Sequence, residues 1–184
     1  MTAPDTEPGF RQSGQDRDAD PGFRRAKRPR SVIAGPYGHP FHATVVTIPI
    51  GAWTAAVVFD IAALLGAAPE ALATGALWLV VIGVIGGLVA AVFGLLDFSQ
   101  LPSGTKVRRT AVWHLAFNST AIALFVVSAI VRAGDPGDPS VAGFVLALVG
   151  ILFVGVSGAL GGELAYRHGV RVADERDQER AYLR

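Results

Sequence analysis

The four histidines of the chain are the residues whose type and spacing could hold a metal or a cofactor. His39 and His42 lie three positions apart, so a helix would put both imidazoles on neighbouring parts of one face. Neutral imidazole binds zinc, copper and haem iron, and carboxylates either bind metals directly or orient an imidazole ligand. The candidate ligands are His39, His42, His114, His168, Asp97 and Glu163, with Asn118 as a residue that would orient one of the rings.

Four long runs almost free of charge must position these side chains. They cover residues 41–65, 72–96, 111–131 and 141–165. Each has at least the ~20 apolar residues that a helix needs to cross ~30 Å of hydrocarbon. Strands would leave backbone groups unpaired in lipid, and four strands cannot close a barrel. Because the connections are short, the sequence predicts an all-α membrane protein, an up-and-down bundle of four transmembrane helices.

The segments that flank this domain are polar. Residues 1–36 have almost nothing to bury, so they are predicted to be a disordered basic tail, followed by a membrane domain at 37–172 and a charged tail at 173–184. The basic cluster at residues 24–30 is interpreted as an anchor beside the first span. The sharper alternative is specific recognition of anionic lipid head groups.

Lysine and arginine near the ends of the spans indicate the orientation. Fifteen of the sixteen fall on one predicted face of the bundle, and Arg132 alone falls on the other. Basic residues flanking membrane helices stay on the cytoplasmic side, which predicts that both termini are cytoplasmic. The first apolar run is too long for the core of a signal peptide, so it is interpreted as an uncleaved span.

In this orientation, all the candidate ligands gather in one layer at the inner face. Asp60 is the exception, because it lies about eighteen residues beyond His42, or ~27 Å along a helix, at the outer interface. The competing interpretation of the layer is structural. Histidine and aspartate are common at membrane interfaces, where their polar tips reach head groups and water.

Small residues predict where the helices touch. Gly83, Gly87 and Gly94 lie near one face of the second run, and Gly158 and Gly162 repeat the spacing in the fourth. Such rows allow close approach of two helices in lipid. The same rows leave room for a flat cofactor. Val80 is expected to face lipid.

Several functions are disfavoured by missing features. The chain has no cysteine, which excludes disulfides, thiolate metal sites, iron–sulfur ligation and covalently attached haem. It has no phosphate-binding glycine loop, metalloprotease motif or nucleophile elbow, and no basic stripe for nucleic acid. Because no charged residue lies near the midplane, a channel or transporter fits worst. The isolated chain is not predicted to be an enzyme.

An ordered series of motifs resembles a widespread family of bacterial four-span integral membrane proteins of unknown function. The resemblance covers about residues 37–172. It is carried by GHPFH at 38–42, PIGAW at 49–53, FD at 59–60, GLLDF at 94–98, the segment 109–118 and GGELAYRHGV at 161–170. Some relatives occur beside or fused to Rieske iron–sulfur domains, which implies a redox setting. An iron–sulfur partner of this cysteine-free chain would be a separate protein.

We therefore hypothesise a protein of the bacterial plasma membrane whose inner-face layer binds b-type haem or a divalent metal and serves an electron-transfer partner. For haem, the axial ligands would be His114 with His39 or His42. For a bare metal, Asp97 and Glu163 become direct ligands. The alternative is a non-catalytic assembly or scaffold component with no cofactor. The lipid bilayer is a partner in both cases. Association into a homo-oligomer is compatible with either hypothesis.

Overall fold

The computed structural model describes residues 20–32, 35 and 39–183, and four long helices dominate it. They are the first span Phe41–Leu64, the second span Pro69–Phe98, the third span Lys106–Ala133 and the fourth span Val141–Arg167. All four are long and apolar enough to cross a membrane. Across the described residues there is no strand. The predicted all-α, four-helix membrane fold is confirmed.

The third and fourth spans begin next to residues whose side chains cap them. The Thr105 side chain accepts a hydrogen bond from the Arg108 backbone N–H, which starts the third span at Lys106, five positions before the apolar run. In the same way, Ser140 accepts from the backbone N–H of Gly143 at 3.1 Å and starts the fourth span. The first turns after Thr105 are polar, so hydropathy alone places the start of the third span too late, whereas the fourth begins at Val141 as expected.

Two spans contain a local irregularity. The first divides into Phe41–Val45 and Thr47–Leu64. Pro49 has no N–H for the carbonyl of Val45, four residues earlier, so the helical hydrogen bonding is interrupted there. The fourth span consists of the α-helix Val141–Gly162 and one π-helical turn, Glu163–Arg167.

The connections define two ends of the bundle. One end, called the basic end, contains the segment 20–32, the loop at 99–105 and the segment that follows the fourth span. There Arg30 donates to the Ser99 hydroxyl at 3.1 Å, and Lys27 donates to the Ala173 carbonyl at 3.3 Å. At the far end, the second span meets the loop at 134–140, where the Thr74 hydroxyl donates to the carbonyl of Pro136 at 3.2 Å. The spans are therefore antiparallel in sequence order.

The first and third spans face each other in a repeated register. The facing pairs, each 72 positions apart, are His42 with His114, Trp53 with Phe125, and Asp60 with Arg132. The second and fourth spans repeat with an offset of 67 positions, since Gly83 contacts Trp53 as Gly150 contacts Phe125. The bundle is thus built from two similar hairpins, hairpin A (Phe41–Phe98) and hairpin B (Lys106–Arg167).

The centre of the bundle is an aromatic stack. Trp53 and Phe125 lie with ring centroids 4.0 Å apart and planes at 4°, and the Trp53 indole N–H donates to the Val80 carbonyl at 3.3 Å. The rings fit because glycine lies beside each one. A Cβ atom at Gly150 would be 2.6 Å from Phe125, and one at Gly83 would overlap Trp53.

The small-residue predictions are confirmed in the second span and wrong in the fourth. Gly83 and Gly87 contact Trp53, and Gly94 contacts His42. A Cβ atom at Gly158 or Gly162 would meet nothing within 4 Å. The fourth span is turned so that Gly143, Gly150 and Gly161 face the neighbouring helices instead.

The expectation that Val80 faces lipid is also wrong. Its side chain is fully buried in the core beside Trp53 and Phe125. In an almost uniformly apolar helix, hydropathy does not show which face turns inward, so this orientation was not readable from the sequence.

Part of the expected disordered tail forms a short helix, Pro21–Lys27. The Asp20 carboxylate caps it by accepting from the Gly22 N–H at 2.7 Å, and Ala26 packs with Leu101 and Ala111. The prediction of a disordered tail assumed that this segment has almost no side chain to bury, and it overlooked small residues such as Ala26. The other end of the chain carries a second short helix, Glu175–Ala181. Residues 1–19, 33–34, 36–38 and 184, with Gly38 of the first motif, lie outside the described residues.

Candidate cofactor site

A cavity of about 390 Å³ lies between the four spans in the half of the bundle near the basic end. Its wall is mostly apolar. The polar side chains that reach it are His42, Asp97, His114, Asn118, Ser119 and Ser157. A volume in the range of ~300–1,000 Å³ with few convergent polar groups is typical of small-molecule and cofactor sites.

His42 enters the cavity wall from the first turns of hairpin A. Its Nδ1 lies 2.8 Å from the backbone carbonyl oxygen of Ala90. Because a carbonyl can only accept, Nδ1 carries the ring proton and Nε2 keeps its lone pair. Among the described residues, no hydrogen-bond partner reaches this Nε2. The ring rests on Gly94, where a Cβ atom would lie 3.0 Å from the His42 Cε1.

His114 repeats this arrangement in hairpin B. Its Nδ1 lies 2.8 Å from the carbonyl oxygen of Ser157, which fixes the same tautomer, and its ring rests on Gly161 at 3.1 Å. In both hairpins, the accepting carbonyl and the supporting glycine are four residues apart. The Ser157 hydroxyl also lies 3.0 Å from the same Nδ1.

The two imidazoles face each other across the cavity. Their ring centroids are 6.2 Å apart and their planes are nearly perpendicular, at 81°. The Nε2 of His114 lies 3.1 Å from the Asn118 side-chain nitrogen, which also donates to the His114 carbonyl oxygen. Asn118 was predicted to orient an imidazole ring, and in the structure its side chain contacts the ring of His114.

The other predicted ligands lie in separate ion pairs. Asp97 borders the cavity, but its carboxylate pairs with the Arg171 guanidinium at 3.1 Å, and both side chains are nearly buried. Arg171 also donates to the backbone oxygen of His39, whose own side chain is exposed. Arg171 has a left-handed backbone, with φ of 59°, so this connection is held at a conformational cost.

Glu163 and His168 form the third group. The Glu163 carboxylate lies 3.6 Å from the His168 Nε2 and 3.9 Å from the Arg167 guanidinium. The single predicted layer thus divides into three groups, and only His42, His114 and Asn118 come together in one. Among the residues that the structure describes, no group of three or more His, Cys, Asp or Glu could hold a metal ion.

A buried ion pair near the far end was missed in the sequence. Asp60 and Arg132 are each 3% exposed and pair through two hydrogen bonds of 2.6 Å. The Arg132 Nε donates to the Ser128 hydroxyl at 3.1 Å, and that hydroxyl donates to the Gly143 carbonyl. The available signal was spacing, since Asp60 follows His42 by as many positions as Arg132 follows His114.

Comparison with known proteins identifies the family. The family described as predicted membrane protein DUF2231 matches residues 38–174. No curated protein and no solved structure matches the chain. The match covers most of the chain, including all four spans and both facing histidines, so this protein belongs to the DUF2231 family of predicted membrane proteins.

Proposed function

We propose that this membrane protein binds one b-type haem in the cavity, with His42 and His114 as axial ligands, and exchanges electrons with a separate redox protein. The observation that carries the proposal is the pair of facing imidazoles, each fixed through Nδ1 by a backbone carbonyl. Histidines that bind metals almost always donate their other ring N–H in this way. The group would supply one-electron redox chemistry.

The residues present fit haem better than a bare metal ion. Haem iron needs only two axial ligands from the protein, whereas a bare ion needs three or more, and no such cluster occurs in the described part of the chain. Two imidazoles sharing one metal have donor nitrogens about 4 Å apart, given metal–nitrogen distances of about 2.0–2.1 Å. Ring centroids 6.2 Å apart are compatible with that spacing when both Nε2 atoms turn toward one iron.

The remaining candidates take structural roles in this proposal. Asp97 and Glu163 are engaged by cations of the basic end, and His39 contributes its backbone oxygen to Arg171. We therefore assign them to closing the basic end of the cavity. Direct ligation by the two carboxylates, which the bare-metal hypothesis requires, would break both ion pairs.

The test is the visible absorption spectrum and haem content of the full-length protein, purified from membranes in mild detergent. We expect a Soret band and about one haem per chain. His42→Ala or His114→Ala should change the position or intensity of that band, because each removes an axial nitrogen. His168→Ala is the matched control, since His168 lies outside the cavity lining and should leave the spectrum unchanged. Colourless protein that takes up no added haem would refute the proposal.

The competing candidate is an assembly or scaffold component with no cofactor. It is supported by the ion pairs at the basic end, which account for Asp97, Glu163 and His168 without a ligand. In that case His42→Ala and His114→Ala should alter only stability. The same purified samples decide between the two candidates.

We also propose that the basic end lies at the cytoplasmic face of a bacterial plasma membrane and that the redox partner docks there. The support is the Lys and Arg distribution, fifteen to one. Reporter fusions after residue 184 should report cytoplasm, and insertions at residues 135–139 should report the exterior. A C-terminal reporter active outside the cytoplasm would reverse the orientation.

A further inference from the structure

The two imidazoles occupy equivalent positions but have different neighbours. One turn after His114 the cavity wall carries Asn118, whereas the equivalent position after His42 is Val46. The carbonyl that fixes His114 belongs to Ser157, whose hydroxyl adds a second polar contact, whereas the one that fixes His42 belongs to Ala90. Beside the His114 ring, polar groups therefore replace the apolar ones found beside His42, whereas the lining residue Asp97 of hairpin A corresponds to the apolar Leu164 of hairpin B.

This difference makes the two Nε2 atoms chemically unequal. The Asn118 amide lies 3.1 Å from the His114 Nε2 and can donate a hydrogen bond to its lone pair. At the position equivalent to Asn118, hairpin A carries the apolar Val46, and the His42 Nε2 has no hydrogen-bond partner among the described residues. His42 can bind iron without losing a contact. His114 must first give up its bond to Asn118.

Resting on the proposed haem site, we propose that His42 is the permanent axial ligand and that the position facing His114 is exchangeable. A small exogenous ligand, a diatomic gas or a small anion, takes the place of the His114 imidazole and accepts a hydrogen bond from the Asn118 amide. In the exchange one iron–nitrogen bond breaks and one bond from the iron to the incoming ligand forms. The imidazole leaves neutral, and no electron or proton is transferred.

The chemistry of the cavity wall supports such an exchange. Polarity and hydrogen-bond donors beside an axial position decide whether a haem site binds small ligands or only transfers electrons. Asn118 has two amide hydrogens, and in this structure they point to the Nε2 and the backbone oxygen of His114. When the imidazole withdraws, the first of these hydrogens is available to an incoming ligand in the cavity that Asn118 lines.

The experiment uses the full-length protein in lipid nanodiscs, loaded with haem b and reduced with dithionite, with carbon monoxide as the probe. We expect carbon monoxide to shift the Soret band of the wild-type protein. Asn118→Val, which copies Val46 of hairpin A, should raise the dissociation rate of carbon monoxide about tenfold, the effect of one lost hydrogen bond. Ser119→Ala is the control, because Ser119 lines the same cavity without a contact to His114.

Haem retention provides a second measurement that does not depend on carbon monoxide. We expect His42→Ala to weaken haem binding at least tenfold and His114→Ala to weaken it no more than about threefold. Haem-loaded wild-type protein that ignores carbon monoxide would overturn this inference and leave the proposed haem site intact. Equal loss of haem in both variants would overturn it too. Protein that takes up no haem overturns both proposals.

Discussion

Hairpins A and B have the same helical register but meet in opposite ways at their two ends. At the far end, different residues face each other, and the Asp60 carboxylate and Arg132 guanidinium complete one another with two short hydrogen bonds. At the basic end, identical residues face each other, as His42 and His114. Each contact joins two residues at equivalent positions of hairpins A and B. The two ends therefore differ in the chemistry of the facing side chains and not in the helical register.

The comparison shows that only one end leaves a nitrogen lone pair without a hydrogen-bond partner among the described residues. A carboxylate and a guanidinium satisfy each other, and burying them together leaves no charge without a partner. Two imidazoles whose Nδ1 protons already go to backbone carbonyls present two acceptor nitrogens, which cannot bond to each other. Asn118 satisfies one of them. A metal centre between the rings would satisfy both.

The largest expected effect comes from breaking the pair at the far end. Asp60→Ala or Arg132→Ala leaves a buried charge without its partner and should destabilise the fold by about 3–5 kcal/mol. Unfolding in mixed detergent–SDS micelles measures this loss. Arg180→Ala is the control, because Arg180 is 76% exposed and its ion pair with Asp177 should contribute little. Unfolding of either core variant at the wild-type SDS fraction would contradict the structure.

Exchanging the two charges sharpens the comparison between the hairpins. The variant carrying both Asp60→Arg and Arg132→Asp restores a pair of opposite charges, so it should be more stable than either single exchange. It should not reach wild-type stability. The Arg132 side chain passes over Gly143, at 2.9 Å from the Cβ position, and the equivalent of Gly143 in hairpin A is Ala76, which is fully buried. Full recovery would mean that this glycine is unimportant.

A smaller effect is expected at the aromatic stack. Gly83→Leu and Gly150→Leu force a side chain against Trp53 and Phe125 and should each cost about 1–3 kcal/mol by overpacking. Gly155→Leu is the matched control in the same helix as Gly150, because its Cβ would meet nothing within 4 Å. The same SDS unfolding curves decide, and equal tolerance of all three substitutions would contradict the assigned contacts.

The number, order and approximate bounds of the spans could be predicted because the length of an uncharged run is a one-dimensional signal. The rotation of each span could not, because nearly every position in these runs is apolar. Val80 is fully buried and Gly158 faces no neighbour, contrary to expectation in both cases. Packing against Trp53 and Phe125, rather than hydropathy, fixes these faces.

For the candidate site, depth along the helices was predictable and grouping was not. All the candidates were expected at one face, but the structure unites only His42, His114 and Asn118. Whether a carboxylate meets an imidazole or an arginine depends on side chains beyond the spans. Arg171, whose backbone conformation is left-handed, takes Asp97, and no spacing rule indicates that pairing.

The smallest effect on stability is expected at two glycines of the fourth span. Substitutions there also separate an effect on folding from an effect on haem binding. Gly158 and Gly162 lie one turn apart, and a Cβ atom at either meets nothing within 4 Å, but only Gly158 lines the cavity. Gly158→Leu and Gly162→Leu should therefore both unfold within about 0.5 kcal/mol of the wild type, since neither creates a clash. They should differ in the cavity, where Gly158→Leu fills space that the proposed haem would occupy. Titration of the purified variants with haem b should show at least tenfold weaker binding for Gly158→Leu and wild-type binding for Gly162→Leu. If both variants bind haem as the wild type does, the cofactor does not occupy this cavity, whatever the stability of the bundle around it.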